Sequence, residues 1–310
     1  MKYKFCRIQN HQNKGNLYIE ALEKAGYIPT NRDNVQGTAL YLVDGDWRDN
    51  MMDHARVRNI PVFLYPHAAR PMVIYDGCVK PRPVRCMFTQ APGGLELMKA
   101  IKYPYPVEVS GWAFSEVRKF KPTKKLNRVL FAPIHPNGNG YLNAVDKAIN
   151  AAAFGTLQVY CRENHAQLSV RYIGTPEQCG LGEAAAFEAP YIEWHQGKKN
   201  NSTDDMEAAD LVVSHQTFAF IAVAMGIPTV MMAEDVAPRS GNTEAGFCYV
   251  EHWDEYKDLL MFPLDILHGD PSKTIEKAMA GCPEVEDWKA RLIGQPFDGP
   301  AFVEKLESYL

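Results

Sequence analysis

Short apolar runs alternate along this chain with amphipathic stretches of about ten to fifteen residues, a pattern that predicts repeated βα units and parallel sheets. In the first half, Tyr3–Gln9 is an apolar-rich strand. Asn16 is placed to cap a helix over Leu17–Ala25, which Gly26 stops. Leu40–Val43 is a buried strand that runs into Asp44-Gly45-Asp46. Residues 48–59 have helical composition, and Ile60–Tyr65 is the next strand, ending at Pro66-His67. Met87–Thr89, a helix over Gly94–Ile101 and Val107–Ser110 follow.

The alternation pauses at RKFKPTKKLNR, Arg118–Arg128, which carries six positive charges and Pro122. Such a segment reads as a linker. The predicted organisation is therefore a basic domain over 1–118, a linker over 119–128 and a second domain over 129–310. The second half restarts with the strand Arg128–Ala132 and a loop containing Asn137, Gly138 and Gly140. Tyr141–Phe154 is read as a helix with Leu142, Val145, Ala148, Ile149 and Ala152 on its apolar face. Leu157–Cys161, Leu168–Ile173 and Tyr191–Trp194 read as strands. Ser202 and Thr203 are placed to cap a short helix through Ala209. Leu211–Ser214, the helix Phe218–Met225 and Pro228–Met232 complete the pattern, and Pro300–Leu310 reads as a terminal amphipathic helix. The fold class expected is α/β, with two Rossmann-like doubly wound parallel-sheet domains.

Composition changes this picture little, but charge does. Residues 1–128 hold 21 Lys+Arg against 11 Asp+Glu, or +10; the remaining 12 and 26 give 129–310 a balance of −14. A basic first half suits an anionic ligand, and attraction between the two halves across a cleft accounts for the same asymmetry. The seven cysteines are irregularly spaced, with no C-x-x-C pair, which argues against a disulfide framework or a zinc knuckle. The longest apolar run, Thr217–Met232, is interrupted by Gly226 and Pro228, so no membrane span is expected; with no signal-like start, a cytoplasmic location is expected.

In open parallel sheets ligands bind beyond the carboxyl ends of the strands. The polar residues there are Asn10-His11-Gln12, Asp44-Gly45-Asp46, His67, His135 to Gly140, His215-Gln216-Thr217 and Glu234-Asp235. APIHPNGNG, Ala132–Gly140, places two glycines before a helix, where close backbone approach and free N–H groups suit a diphosphate. No P-loop motif occurs. Asp44 and Asp46 have three readings: a pair sharing Mg²⁺ or Mn²⁺, a solvated turn, or a general base, for which His67 is the rival.

ADLVVSHQTFAFIAVAMGIPTVMMAED, Ala209–Asp235, resembles the donor-binding signature of GT-B glycosyltransferases and of their relatives, the sugar-nucleotide 2-epimerases and the glycerophosphotransferases of teichoic acid synthesis. FAPIHP at Phe131–Pro136 and YPHA at Tyr65–Ala68 resemble segments of the glycerophosphotransferases. The resemblance implies a nucleotide-sugar donor, UDP-linked by preference, with no required metal. It puts the donor phosphates at His215, Gln216 and Thr217, with His135, Asn137, Gly138 and Gly140 nearby, and the donor sugar at Glu234 and Asp235. In that setting Asp44, Asp46 and His67 become catalytic candidates. Many members carry a ribose-binding glutamate where this chain has Ile221. GT-B proteins often send a terminal helix back onto the first domain, a place Pro300–Leu310 would take, and they commonly turn the first domain toward the acceptor; here that domain is the basic one. Arg70, Arg82, Arg85 and Trp112 are therefore read as acceptor-binding, for a polyanion such as DNA carrying a hydroxymethylated pyrimidine, as phage enzymes modify. An epimerase, a CDP-glycerol-type transferase and a non-catalytic nucleotide-binding module remain alternatives.

Overall fold

A computed structural model describes residues 4–9, 16–30, 37–44, 55, 57–66, 84–100, 102–136, 142–186, 189–198, 202–232 and 261–310. Among these the chain forms two compact units, one of 1–116 with 290–310 and one of 117–232 with 261–289.

Unit 1 is built on a parallel sheet in the order β2-β1-β3-β4-β5-β6: β1 Lys4–Gln9, β2 Tyr27–Thr30, β3 Thr38–Asp44, β4 Val62–Tyr65, β5 Val84–Thr89 and β6 Val107–Val109. Helix α1, Leu17–Lys24, starts where Asn16 Oδ1 accepts the Tyr18 amide at 3.0 Å. It ends at Gly26, whose φ of +86° suits a residue without Cβ. Helix α2, Pro92–Ala100, follows β5. The core is aromatic: Tyr18 meets Tyr65 and Phe302, with both pairs of ring centroids 5.1 Å apart. Phe302 comes from the last helix of the chain, Gly299–Glu307, which packs on α1 within this unit. Lys305 of that helix donates to the Val109 carbonyl at 2.8 Å, and Tyr309 to Glu108 at 3.0 Å. Strand β2 is an addition to the sequence pattern. It is an edge strand that tolerates Pro29, opposite Cys6, because one of its sides needs no ladder partner.

Unit 2 contains a second parallel sheet, ordered β11-β10-β7-β8-β9: β7 Arg128–Phe131, β8 Gln167–Tyr172, β9 Ile192–Gln196, β10 Leu211–Ser214 and β11 Thr229–Met231. Residues 117–128, with no helix or strand before β7, are bonded along this unit. The amides of Arg118, Lys121 and Thr123 donate to the carbonyls of Ala224, Gly226 and Met279. Helix α3 runs over Ala144–Glu163, so the strand expected at Leu157–Cys161 is its last two turns. Its buried residues are Asn150, Ala153, Phe154, Leu157 and Cys161, spaced three and four apart. Of the face expected in the core, Leu142, just before the helix, is buried and Ile149 half-buried, whereas Val145, 59% exposed, Ala148 and Ala152 are turned outward. An Ala-rich helix carries apolar residues on both sides, and the larger Phe154 and Leu157 decide which side is buried. Helices α4 Gly182–Ala185, α5 Ser202–Glu207, α6 Gln216–Ala224, α7 Pro271–Ala280 and α8 Pro283–Leu292 complete the description; the last helix is α9. No described helix is long and apolar enough to cross a membrane.

Candidate functional site

In unit 2 the chain lays down β7, β8 and β9 in one direction, then returns to the other side of β7 for β10 and β11. The strand order therefore reverses between β7 and β10, and loops leaving these two carboxyl ends diverge to open a crevice. The Ala132 amide donates to the Val213 carbonyl at 2.9 Å, and Ser214 Oγ donates to the Ala132 carbonyl at 2.9 Å. These bonds carry the two chains past the strand ends in step. As a result the rings of His135 and His215 meet edge to face, with centroids 6.3 Å apart.

The two histidines differ in setting. His215 is buried at 9% exposure, in extended backbone, immediately before α6. His135 is exposed, and its Nδ1 lies 2.9 Å from the Pro136 carbonyl. A carbonyl only accepts, so Nδ1 is the donor in this contact. Helix α6 opens with Gln216 and Thr217, has no acidic residue in its first turn and receives no side-chain cap bond from His215. The N–H groups of its first turn and the positive end of its dipole make this helix start suited to an anion. The helix itself is held by burial: Ala219, Ala222 and Ala224 are fully buried. It stops at Gly226, where φ is +75° and an added Cβ would lie 2.2 Å from the Lys119 carbonyl oxygen.

Two residues that the sequence pattern does not reveal fix the surroundings. Asn150, fully buried on α3, accepts from the Ile134 amide at 2.7 Å and donates to the carbonyls of Ile134 and Cys179 at 2.8 and 2.9 Å. One side-chain amide thereby clamps the residue before His135. Arg171, 4% exposed at the end of β8, donates to Asp205 of α5 at 2.6 Å and to the Lys198 carbonyl at 2.5 Å. Its guanidinium also lies 5.1 Å from the Phe218 ring centroid, in the first turn of α6. A polar residue within a predicted helix and an arginine within the strand run LSVRY were the only signals for them. Cys179 supplies no nucleophile here, since burial pushes its thiol up to about 11.

The other predicted residues are distributed as follows. Asp44 is the last residue of β3, paired with Tyr65 of β4. In unit 1 the strand order turns between β1 and β3, so Asp44 ends a strand at that unit's own reversal. Arg85 is exposed on β5. Trp112 is 1% exposed; its indole N–H donates to Ser115 Oγ at 2.9 Å, and its ring packs edge-on to Phe114. No face of it is open for a base to stack on, so the acceptor role read for Trp112 gives way to a packing one. Asp46, His67, Arg70, Arg82, Asn137, Gly138, Gly140, Glu234 and Asp235 lie outside the described residues. Among the described residues no group of three or more His, Cys, Asp or Glu side chains is arranged to hold a metal ion.

No protein-family model matches the chain, and no curated protein matches it in sequence. Solved structures do resemble it. The S. aureus MnaA–UDP structure is similar at 12% identity and a TM-score of 0.59, covering 100% of this chain and 97% of that one. A putative UDP-N-acetylglucosamine 2-epimerase from Listeria monocytogenes gives 11% and 0.58, with 100% and 97% covered. UDP-GlcNAc 2-epimerase from Neisseria meningitidis bound to UDP-GlcNAc gives 11% and 0.55, with 99% and 100% covered. At these identities the likeness is one of fold: two Rossmann-like α/β units of the GT-B type, along the whole chain.

Proposed function

We propose that this protein is a nucleotide-sugar-dependent glycosyltransferase whose donor diphosphate binds at the β7/β10 reversal, against the first turn of α6. The observation that carries the reading is the juxtaposition of His135 and His215 at an uncapped, acid-free helix start. Fold neighbours solved with UDP and UDP-GlcNAc support a UDP-linked donor. A preorganised set of N–H donors neutralises the leaving diphosphate as negative charge develops on it, which supplies transition-state stabilisation without a metal. On this reading 129–289 is the donor side, and 1–118, which 290–310 joins in one unit, is the acceptor side. Asp44, Asp46 or His67 acts as the base on the acceptor hydroxyl, Glu234 and Asp235 face the sugar, and Arg70, Arg82 and Arg85 face a polyanionic acceptor. The favoured acceptor is a hydroxymethylated pyrimidine in DNA.

A second reading, sugar-nucleotide epimerisation, is favoured by the full-length likeness to two UDP-GlcNAc 2-epimerase structures. Incubation with UDP-GlcNAc and UDP-glucose, with and without hydroxymethylated duplex DNA, separates the two. UDP release that requires the DNA supports the transferase. UDP-ManNAc formed without DNA supports the epimerase, and no turnover with any donor refutes both.

A further inference from the structure

The segment Arg118–Lys125 has properties that donor binding does not use. Its inward residues are held: Phe120 lies against Gly281, the Thr123 hydroxyl donates to the Asp210 carbonyl at 3.3 Å, and Leu126, just after the segment, is buried. Its outward residues are Arg118, Lys119, Lys121, Lys124 and Lys125, all exposed. Arg118 pairs with Glu207 at 2.7 Å. Among the described residues none of the four lysine ammonium groups has an acidic or a hydrogen-bonded partner. Beneath them the buried Lys289 ammonium donates to the Arg118 carbonyl at 2.5 Å, and burial lowers its pKa. Four exposed cations without an acidic partner thus lie along one short segment, although 129–310 is acidic overall.

We propose that the ribbon Arg118–Lys125 is a docking surface for the phosphate backbone of duplex nucleic acid. The segment bends at Lys124 and Lys125, so its seven residue steps span less than the roughly 24 Å of a fully extended chain, within the length of about seven base-pair steps at 3.4 Å. Four of its five outward cations are lysines, which act as point charges on phosphates, and no aromatic side chain faces outward between them to stack a base. That combination neutralises a backbone without reading sequence. A membrane fits less well, since none of the exposed large apolar residues falls within 117–128 to insert into it. The ribbon leads into the amino end of β7, whereas His135 follows its carboxyl end, so the two surfaces occupy opposite edges of one sheet.

The test is fluorescence anisotropy of a labelled 20-base-pair duplex of arbitrary sequence with the full chain, from 50 to 200 mM salt. Four phosphate contacts give a slope of log K on log salt of about −3.6, a loss of roughly 150-fold over that range. Lys121→Gln with Lys124→Gln should halve the slope and weaken binding roughly 200-fold at 50 mM. Lys273→Gln, elsewhere on the unit 2 surface, should leave both unchanged. UDP affinity is measured on the same variants and should not move, so failure of the donor site and failure of the ribbon are separable. The proposal is overturned if the protein does not bind the duplex at 50 mM, or if the double variant binds within threefold of the parent. It is also overturned if the parent binds phosphatidylserine vesicles more tightly than the duplex and loses that binding in the double variant.

Discussion

Replacing Asn150 with alanine removes the clamp under the His135 loop and leaves a buried amide and two buried carbonyls without their partner. Each orphaned group costs about 1–3 kcal/mol, and partial relaxation of the helix and loop brings the expected total to about 3–5 kcal/mol. For a unit of this size 1 kcal/mol corresponds to about 2–4 °C, so the unfolding midpoint should fall by about 10 °C. Asn150→Asp sharpens the test. Its carboxylate still accepts from the Ile134 amide but faces the carbonyl oxygens of Ile134 and Cys179, one of which a protonated acid, with its single O–H, can satisfy. The folded-state pKa of that aspartate is then raised above its unfolded value near ~3.9. A group with this sign stabilises the protein at low pH and loses that contribution as pH rises through the folded pKa. The Asp variant should therefore approach the parent at pH 4–5 and resemble the Ala variant at pH 8, as read by thermal unfolding across pH. An Ala variant within about 1 kcal/mol of the parent, or an Asp variant whose deficit does not depend on pH, would refute the clamp.

Two further outcomes follow from the geometry. Gly226→Ala forces a side chain into left-handed backbone and toward the Lys119 carbonyl, so it should lower stability by at least about 1–2 kcal/mol in chemical denaturation. Among the five described cysteines Cys282 is the least buried, while burial pushes the thiols of Cys86 and Cys161 up to about 12. Iodoacetamide at pH 8 followed by peptide mapping should therefore modify Cys282 before Cys6, Cys86, Cys161 or Cys179.

Every strand but β2 was legible because it couples a short apolar run to a turn signal, a rule that also misread the apolar end of α3 at Leu157–Cys161 as a strand; Asn16 and Gly26 mark the ends of α1 by their chemistry alone. Helix α3 was not legible in orientation, because alanines and valines populate both faces and the residue that fixes its seat, Asn150, is polar. Strand β2 was hidden by Pro29, which is compatible with an edge strand and with no other. The joining of the last twenty residues to unit 1 depends on contacts such as Phe302 with Tyr18, which have no local signature. At the site, His135 and His215 could be anticipated singly, since each follows an apolar strand. Their meeting depends on the reversal of strand order at β7, which no local pattern encodes. Arg171 was obscured because a buried arginine in a strand run is indistinguishable in sequence from an exposed one.

If the start of α6 holds a diphosphate, Thr217→Asp sets a like charge against it. A carboxylate in the first turn complements the helix dipole, so folding stability should be unchanged or raised by about 0.3–1 kcal/mol. The same charge about 5 Å from a doubly charged diphosphate costs about 2–3 kcal/mol at an intermediate dielectric, a loss of roughly 30- to 150-fold. Calorimetric titration of UDP into the parent and the variant, without metal, is the measurement. Binding by the parent that is lost in a variant of equal or greater stability is the predicted result; equal affinity in both, or no binding by the parent, would contradict the account.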